Sequence, residues 1–132
     1  MLKFPYGAES LTNEWLNRQL NLSGTLSVAS VIGFEVDTGD LKSGFFGEVA
    51  RLKLRYSNAS GTEPQTIIIK FPTTDAGAFK IGLQRGYYDR ELIFYNEFAQ
   101  NCGLRVPKFY GGEVDPLTGA SALLLEDLTH FR

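Results

Sequence analysis

Residues Thr66, Ile67, Ile68 and Ile69 run without interruption into Lys70. Branched Cβ atoms restrict side-chain rotation and pack well on a pleated surface, so this segment is held to a strand. A lysine ending such a run must lay its stem along buried surface while its ammonium faces something polar. Glu91 follows 21 positions later, inside a helical pattern. A cation at a strand end and a carboxylate on a helix can therefore meet across the fold.

The rest of the chain supplies more strands and a few helices. Ser10 is a suitable cap for a helix over 11–20, with Leu11, Trp15, Leu16 and Leu20 on one face. Residues 21–25 break it, and the lead-in over 1–9 reads as irregular. Residues 26–37 read as a long strand bent at Gly33. Residues 38–47 carry three glycines and read as a loop. Over 48–56, Val49, Leu52, Leu54 and Tyr56 interleave with Arg51, Lys53 and Arg55, which predicts a half-exposed strand with its basic residues outward. The polar stretch 57–65 is a turn, and the strand ending at Lys70 closes a hairpin. Pro72 and Gly77 argue for a loop, with a short helix over 78–84. Residues 87–101 form the strongest helical pattern: Leu92, Phe94, Tyr95, Phe98 and Ala99 share a broad apolar face before Gly103. Strands over 106–114 and 120–127 flank the turn Asp115-Pro116-Leu117-Thr118-Gly119, where proline presets φ and glycine accepts a positive one. The expected order, α-β-β-β-α-β-β, gives an α+β domain with a five-stranded antiparallel sheet packed against a long helix, plus an extra N-terminal helix.

Size and composition narrow the function. The chain has 132 residues, enough for one domain with its own core. A net charge of −2 does not indicate a nucleic-acid surface. A lone Cys102 cannot form an internal disulfide, which suits a reducing cytoplasm. No apolar run approaches the roughly 20 residues of a membrane helix, and the N-terminus lacks the long apolar segment of a signal peptide.

Four elements follow one another in a telling order. Ser43-Gly44-Phe45-Phe46-Gly47-Glu48-Val49 is a glycine turn between strands, where backbone N–H groups can approach phosphate oxygens. Gly44, Gly47 and Val49 match part of the kinase loop G-x-G-x-x-G-x-V, with Lys42 in place of the first glycine. Lys70, Glu91 and the run Leu123-Leu124-Leu125-Glu126-Asp127-Leu128 come next. Taken alone, Lys70 also reads as a strand-end lysine reaching water, and Glu91 as a solvated helix carboxylate near Arg90 or Lys80.

On these stretches the chain resembles the N-terminal lobe of the aminoglycoside phosphotransferase/choline kinase superfamily, most closely the ecdysteroid-kinase-like phosphotransferases. The similarity also covers 11–16, 47–56, 69–72, 88–95, 105–110 and 123–128. It implies a protein-kinase-like ATP-binding lobe over 1–132. The loop at Gly44 and Gly47 would cover the phosphates, and Lys70 would contact the α- and β-phosphates with Glu91 holding it. Val49 and Ile68 would pack on the adenine, and Leu125 would be the gatekeeper. The backbone C=O of Glu126 and N–H of Leu128 would face the adenine edge. The parent would be a cytoplasmic, Mg²⁺/ATP-dependent kinase acting on a small-molecule hydroxyl.

The family's catalytic loop and its Mg²⁺-binding aspartate belong to a C-terminal lobe that this sequence does not contain. His130 reads as part of the connector to it, and the chain alone is expected to be inactive. An exposed lobe–lobe face predicts self-association. Two other readings stand beside this one: an α+β interaction module in which Lys70 and Glu91 are incidental, and a parent that binds nucleotide without turnover. The placement of Lys70 against Glu91 separates the interaction module from the phosphotransferase lobe.

Overall fold

The computed structural model describes residues 4–37, 47–72, 76–84, 86–93 and 107–128. The order is a 3-10 turn over Ala8–Ser10, α1 (Asn13–Leu22), β1 (Ser30–Asp37), β2 (Gly47–Ser57), β3 (Thr66–Pro72), α2 (Ala76–Gln84), α3 (Tyr87–Ile93), β4 (Phe109–Val114) and β5 (Ser121–Glu126). The strands form one five-stranded sheet in the order β1-β2-β3-β5-β4, with every neighbouring pair antiparallel. The protein is thus α+β with a five-stranded antiparallel sheet.

Several boundaries differ from those read in the sequence. The first helix starts at Asn13 rather than 11, because Thr12 is extended and its hydroxyl accepts from the Trp15 N–H at 3.1 Å. Ser10 instead closes the preceding 3-10 turn, donating to the Gly7 carbonyl. The helix runs on to Leu22, and Gly24, at φ +77°, provides the left-handed residue that ends it. The strand expected over 26–37 begins only at Ser30, and its bend is a register shift between Val31 and Gly33. Gly77 lies inside α2 rather than in a loop. Strand β3 does not end at Lys70 but runs on to Pro72, which pairs with Gly47 rather than lying in a loop, and β4 and β5 are shorter than 106–114 and 120–127. Of the long helix expected over 87–101, α3 covers Tyr87–Ile93 and the remainder lies outside the described residues.

Cross-strand register sorts the side chains onto two faces, because directly opposed antiparallel residues point the same way. One face carries Ala50, Leu52 and Leu54 of β2, Ile67, Ile69 and Phe71 of β3, and Ala122 and Leu124 of β5. Helix α1 lies across it, and Trp15, Leu16, Leu20, Leu52, Ile67, Ile69 and Leu124 are all fully buried there. Polar side chains fix the docking. Trp15 Nε1 donates to Glu113 Oε2 at 2.8 Å and Gln19 Nε2 to the same oxygen at 3.2 Å. Asn17 donates to the Val31 carbonyl at 3.0 Å and accepts from its N–H at 2.7 Å, acting as a strand partner at the β1 bulge. Gly111, at φ +136°, brings β4 close to the helix: a Cβ there would sit 3.1 Å from the Gln19 carbonyl oxygen.

The turn between β2 and β3 is held by its own polar groups. Glu63 accepts from the Ser60 hydroxyl at 2.6 Å and from the Ser60 and Gly61 backbone N–H groups. The Ser60 side chain, then its backbone N–H, lowers the Glu63 carboxyl to about 2. Burial, followed by Glu63 and Tyr110, pushes the Tyr56 phenol up, and its hydroxyl donates to the Pro64 carbonyl.

Candidate functional site

The other face of the sheet carries the charged groups. Lys70 is opposed by Val49 on β2 and Leu123 on β5, and Leu123 by Gly112 on β4. Two residues along, Asp37, Arg51, Ile68, Leu125 and Phe109 form a second row across all five strands. Helix α3 packs over the β4–β5 side of this face, where a Cβ on Gly112 would meet Leu123 at 2.8 Å and Leu92 at 3.4 Å. Gly112 therefore leaves room for the Leu123 side chain of β5, with Leu92 of α3 packed alongside.

That close packing brings Glu91 over the sheet. Lys70 Nζ donates to Glu91 Oε1 at 2.6 Å, and the two side chains keep 33% and 25% of their surface exposed. The pair is therefore not sealed in the core. A strand cation anchored on one side by a helix carboxylate, on a side chain that is only partly buried, is a geometry suited to gripping an anion. Glu91 does not point away from the sheet, as a purely solvated helix carboxylate would. Val49 and Ile68 are half-buried beside Lys70 on this same face. They form an apolar floor next to the cation.

The segment following β5 borders the second row. Leu125 is buried, and Glu126 and Leu128 are half-buried. The Glu126 N–H donates to the Lys108 carbonyl at 2.8 Å, while the Lys108 N–H turns to Glu126 Oε1 at 3.1 Å. The β4–β5 ladder thus ends in a side-chain contact. Gly47 opens β2, opposite Pro72. Gly44 lies outside the described residues, as do Cys102 and His130. Among the described residues, no three His, Cys, Asp or Glu side chains group as a metal site, and no helix is long and apolar enough to cross a membrane.

Two functional candidates escaped the sequence reading. Arg51, expected outward, is buried: its Nε donates to Asp127 Oδ2 at 2.9 Å and its Nη1 lies 3.7 Å from Asp37 Oδ2. Asp127 is likewise buried, just beyond the end of β5. The available signal was parity, since Arg51 stands two residues from Val49 and so shares its face rather than that of Leu52. Alternation was read there as one apolar face opposite one basic face. In fact Val49 and Arg51 lie together on the face opposite Leu52.

Comparisons with protein-family models, with curated proteins and with solved structures find no match to this chain.

Proposed function

We propose that this chain is the ATP-binding small lobe of a kinase-like phosphotransferase that transfers the γ-phosphate to a small-molecule hydroxyl. The Lys70–Glu91 pair at 2.6 Å carries the reading. In this arrangement Glu91 orients Lys70 so that its other two ammonium protons meet the α- and β-phosphate oxygens. Val49 and Ile68 take the adenine ring, Leu125 closes the back of the site, and the backbone of Glu126 and Leu128 meets the base edge. Gly44 and Gly47 cover the phosphates. The Mg²⁺ that accompanies ATP, and the acceptor hydroxyl, are held by a second lobe outside this sequence. Val49, Ile68 and Phe109 give this face the apolar character that favours association with such a lobe or with another copy of the chain.

The test is direct binding of ATP with Mg²⁺, followed by calorimetry or by displacement of a fluorescent nucleotide. Losing a charge-assisted contact of about 1.5–3 kcal/mol should weaken binding about 10-fold to 100-fold in Lys70→Met. Glu91→Gln should lie between the parent chain and Lys70→Met. Absence of ATP binding to the parent chain at millimolar concentration, or equal binding by Lys70→Met, rejects the nucleotide reading. The ion pair would then serve packing alone, in an α+β interaction module.

A further inference from the structure

The buried guanidinium of Arg51 has no assigned part in the arrangement above. It sits on β2, two strands away from β5 in the sheet order, yet bonds the carboxylate that follows β5. Neighbouring strands lie about 4.8 Å apart, so the contact spans a gap that only a long side chain covers. The guanidinium crosses the Ile68 position of β3 to reach Asp127 and extends its other arm towards Asp37 at the end of β1. One side chain thus ties the edge strand and β2 to the segment 126–128.

Burying such a pair is poorly explained by stability. Desolvation offsets most of the Coulombic gain, and apolar replacements of like volume commonly fold as well. What a buried, directional pair does provide is a fixed geometry. Arginine suits this because it stays charged and presents its donors in a rigid fork. The β4–β5 register ends at the Phe109–Leu125 pair and β3–β5 at Ile67–Glu126, so Asp127 and Leu128 lie just beyond both ladders.

From this we infer that Arg51 is a positioning residue. Through Asp127 it sets the backbone of 126–128, the segment that the proposed function places against the base of the nucleotide. The inference rests on that reading for its link to nucleotide choice, but the positioning itself can be measured without any ligand.

The experiment compares the chain with Arg51→Met, Arg51→Lys and the double variant R51M/D127L by amide hydrogen exchange and thermal melts. Arg51→Met should raise exchange at the Asp127 and Leu128 amides about tenfold beyond any change at Ile67, Ile69 and Leu124. R51M/D127L should recover the melting temperature, because it removes both charges together, while 127–128 stay fast. Arg51→Lys keeps the charge but loses the fork, and should also leave 127–128 fast; it replaces Arg51→Met in the comparison if that variant does not fold. Exchange at 127–128 that merely follows the rest of the sheet, or that recovers in the double variant, overturns the inference. A second arm titrates ATP and GTP. Where the parent chain prefers ATP, folded Arg51 variants should narrow that preference several-fold while Lys70→Met weakens both nucleotides alike. Where the parent chain binds neither, the phosphotransferase reading fails and the exchange data still decide the role of Arg51.

Discussion

The two faces of this sheet are built from the same strands, yet they follow different physics. On the α1 side, Ile67, Ile69, Leu52 and Leu124 meet Trp15, Leu16 and Leu20 with no accessible surface left. On the α3 side, the residues between them include Lys70 and Arg51, each matched to a carboxylate from elsewhere in the chain. The first face is closed mainly by non-directional burial, which tolerates apolar exchange at constant volume, with Trp15 and Gln19 bonded to Glu113 at its border. The second depends on directional contacts, where the loss of one partner leaves a charge behind. Stability is therefore expected to reside mainly on the first face and binding on the second.

That division can be broken most decisively at Trp15. Trp15→Ala removes a fully buried ring and the indole N–H that reaches Glu113. We expect a loss of about 3–5 kcal/mol, seen as a fall in melting temperature on the order of 10 °C. A fall of only a degree or two would show that α1 is an accessory to the fold rather than half of its core.

Neighbouring positions of β3 sharpen the contrast. Ile69 is fully buried on the α1 face, whereas Ile68 is half-buried on the other. Ile69→Ala should cost about 2–5 kcal/mol and Ile68→Ala roughly half as much in denaturant unfolding. Equal costs would mean that the second face is as much core as the first. At Lys70 the expected ranking inverts. Lys70→Met should change stability by no more than about 1 kcal/mol, because the pair remains a quarter to a third exposed. Its effect is expected in nucleotide affinity instead, and a large loss of stability would assign the pair to packing.

The smallest effect belongs to a turn outside both faces. Glu63 has its carboxyl lowered from 4.5 to about 2 by the Ser60 hydroxyl and neighbouring N–H groups. A folded-state value below the unfolded one gives stabilisation that is complete above 4.5 and is lost as pH falls through about 2. The melting difference between the parent chain and Glu63→Gln should therefore be constant near neutral pH, shrink below 4.5 and vanish near 2. A difference independent of pH would place the contribution elsewhere in the turn.

Legibility in the sequence followed locality. The β3 strand was readable from its four consecutive branched residues, and the Lys70–Glu91 meeting from a strand end and a helical pattern 21 residues apart. The start of α1 was not, because Ser10 and Thr12 are both good caps and only the extended backbone at Thr12 selects between them. Arg51 was misread for a stronger reason: its burial depends on Asp127, 76 residues away, and no local pattern announces a buried ion pair.

Alternation, turn chemistry and apolar content determined that this chain makes five strands and places a lysine in the second half of the third, because those signals act over a few residues. Folding in three dimensions decided the order β1-β2-β3-β5-β4, which inserts the last strand between the third and the fourth. It also decided which face each basic residue occupies and which carboxylate it meets. Those outcomes depend on desolvating charges against partners far along the chain, an energy that exists only once the sheet has assembled.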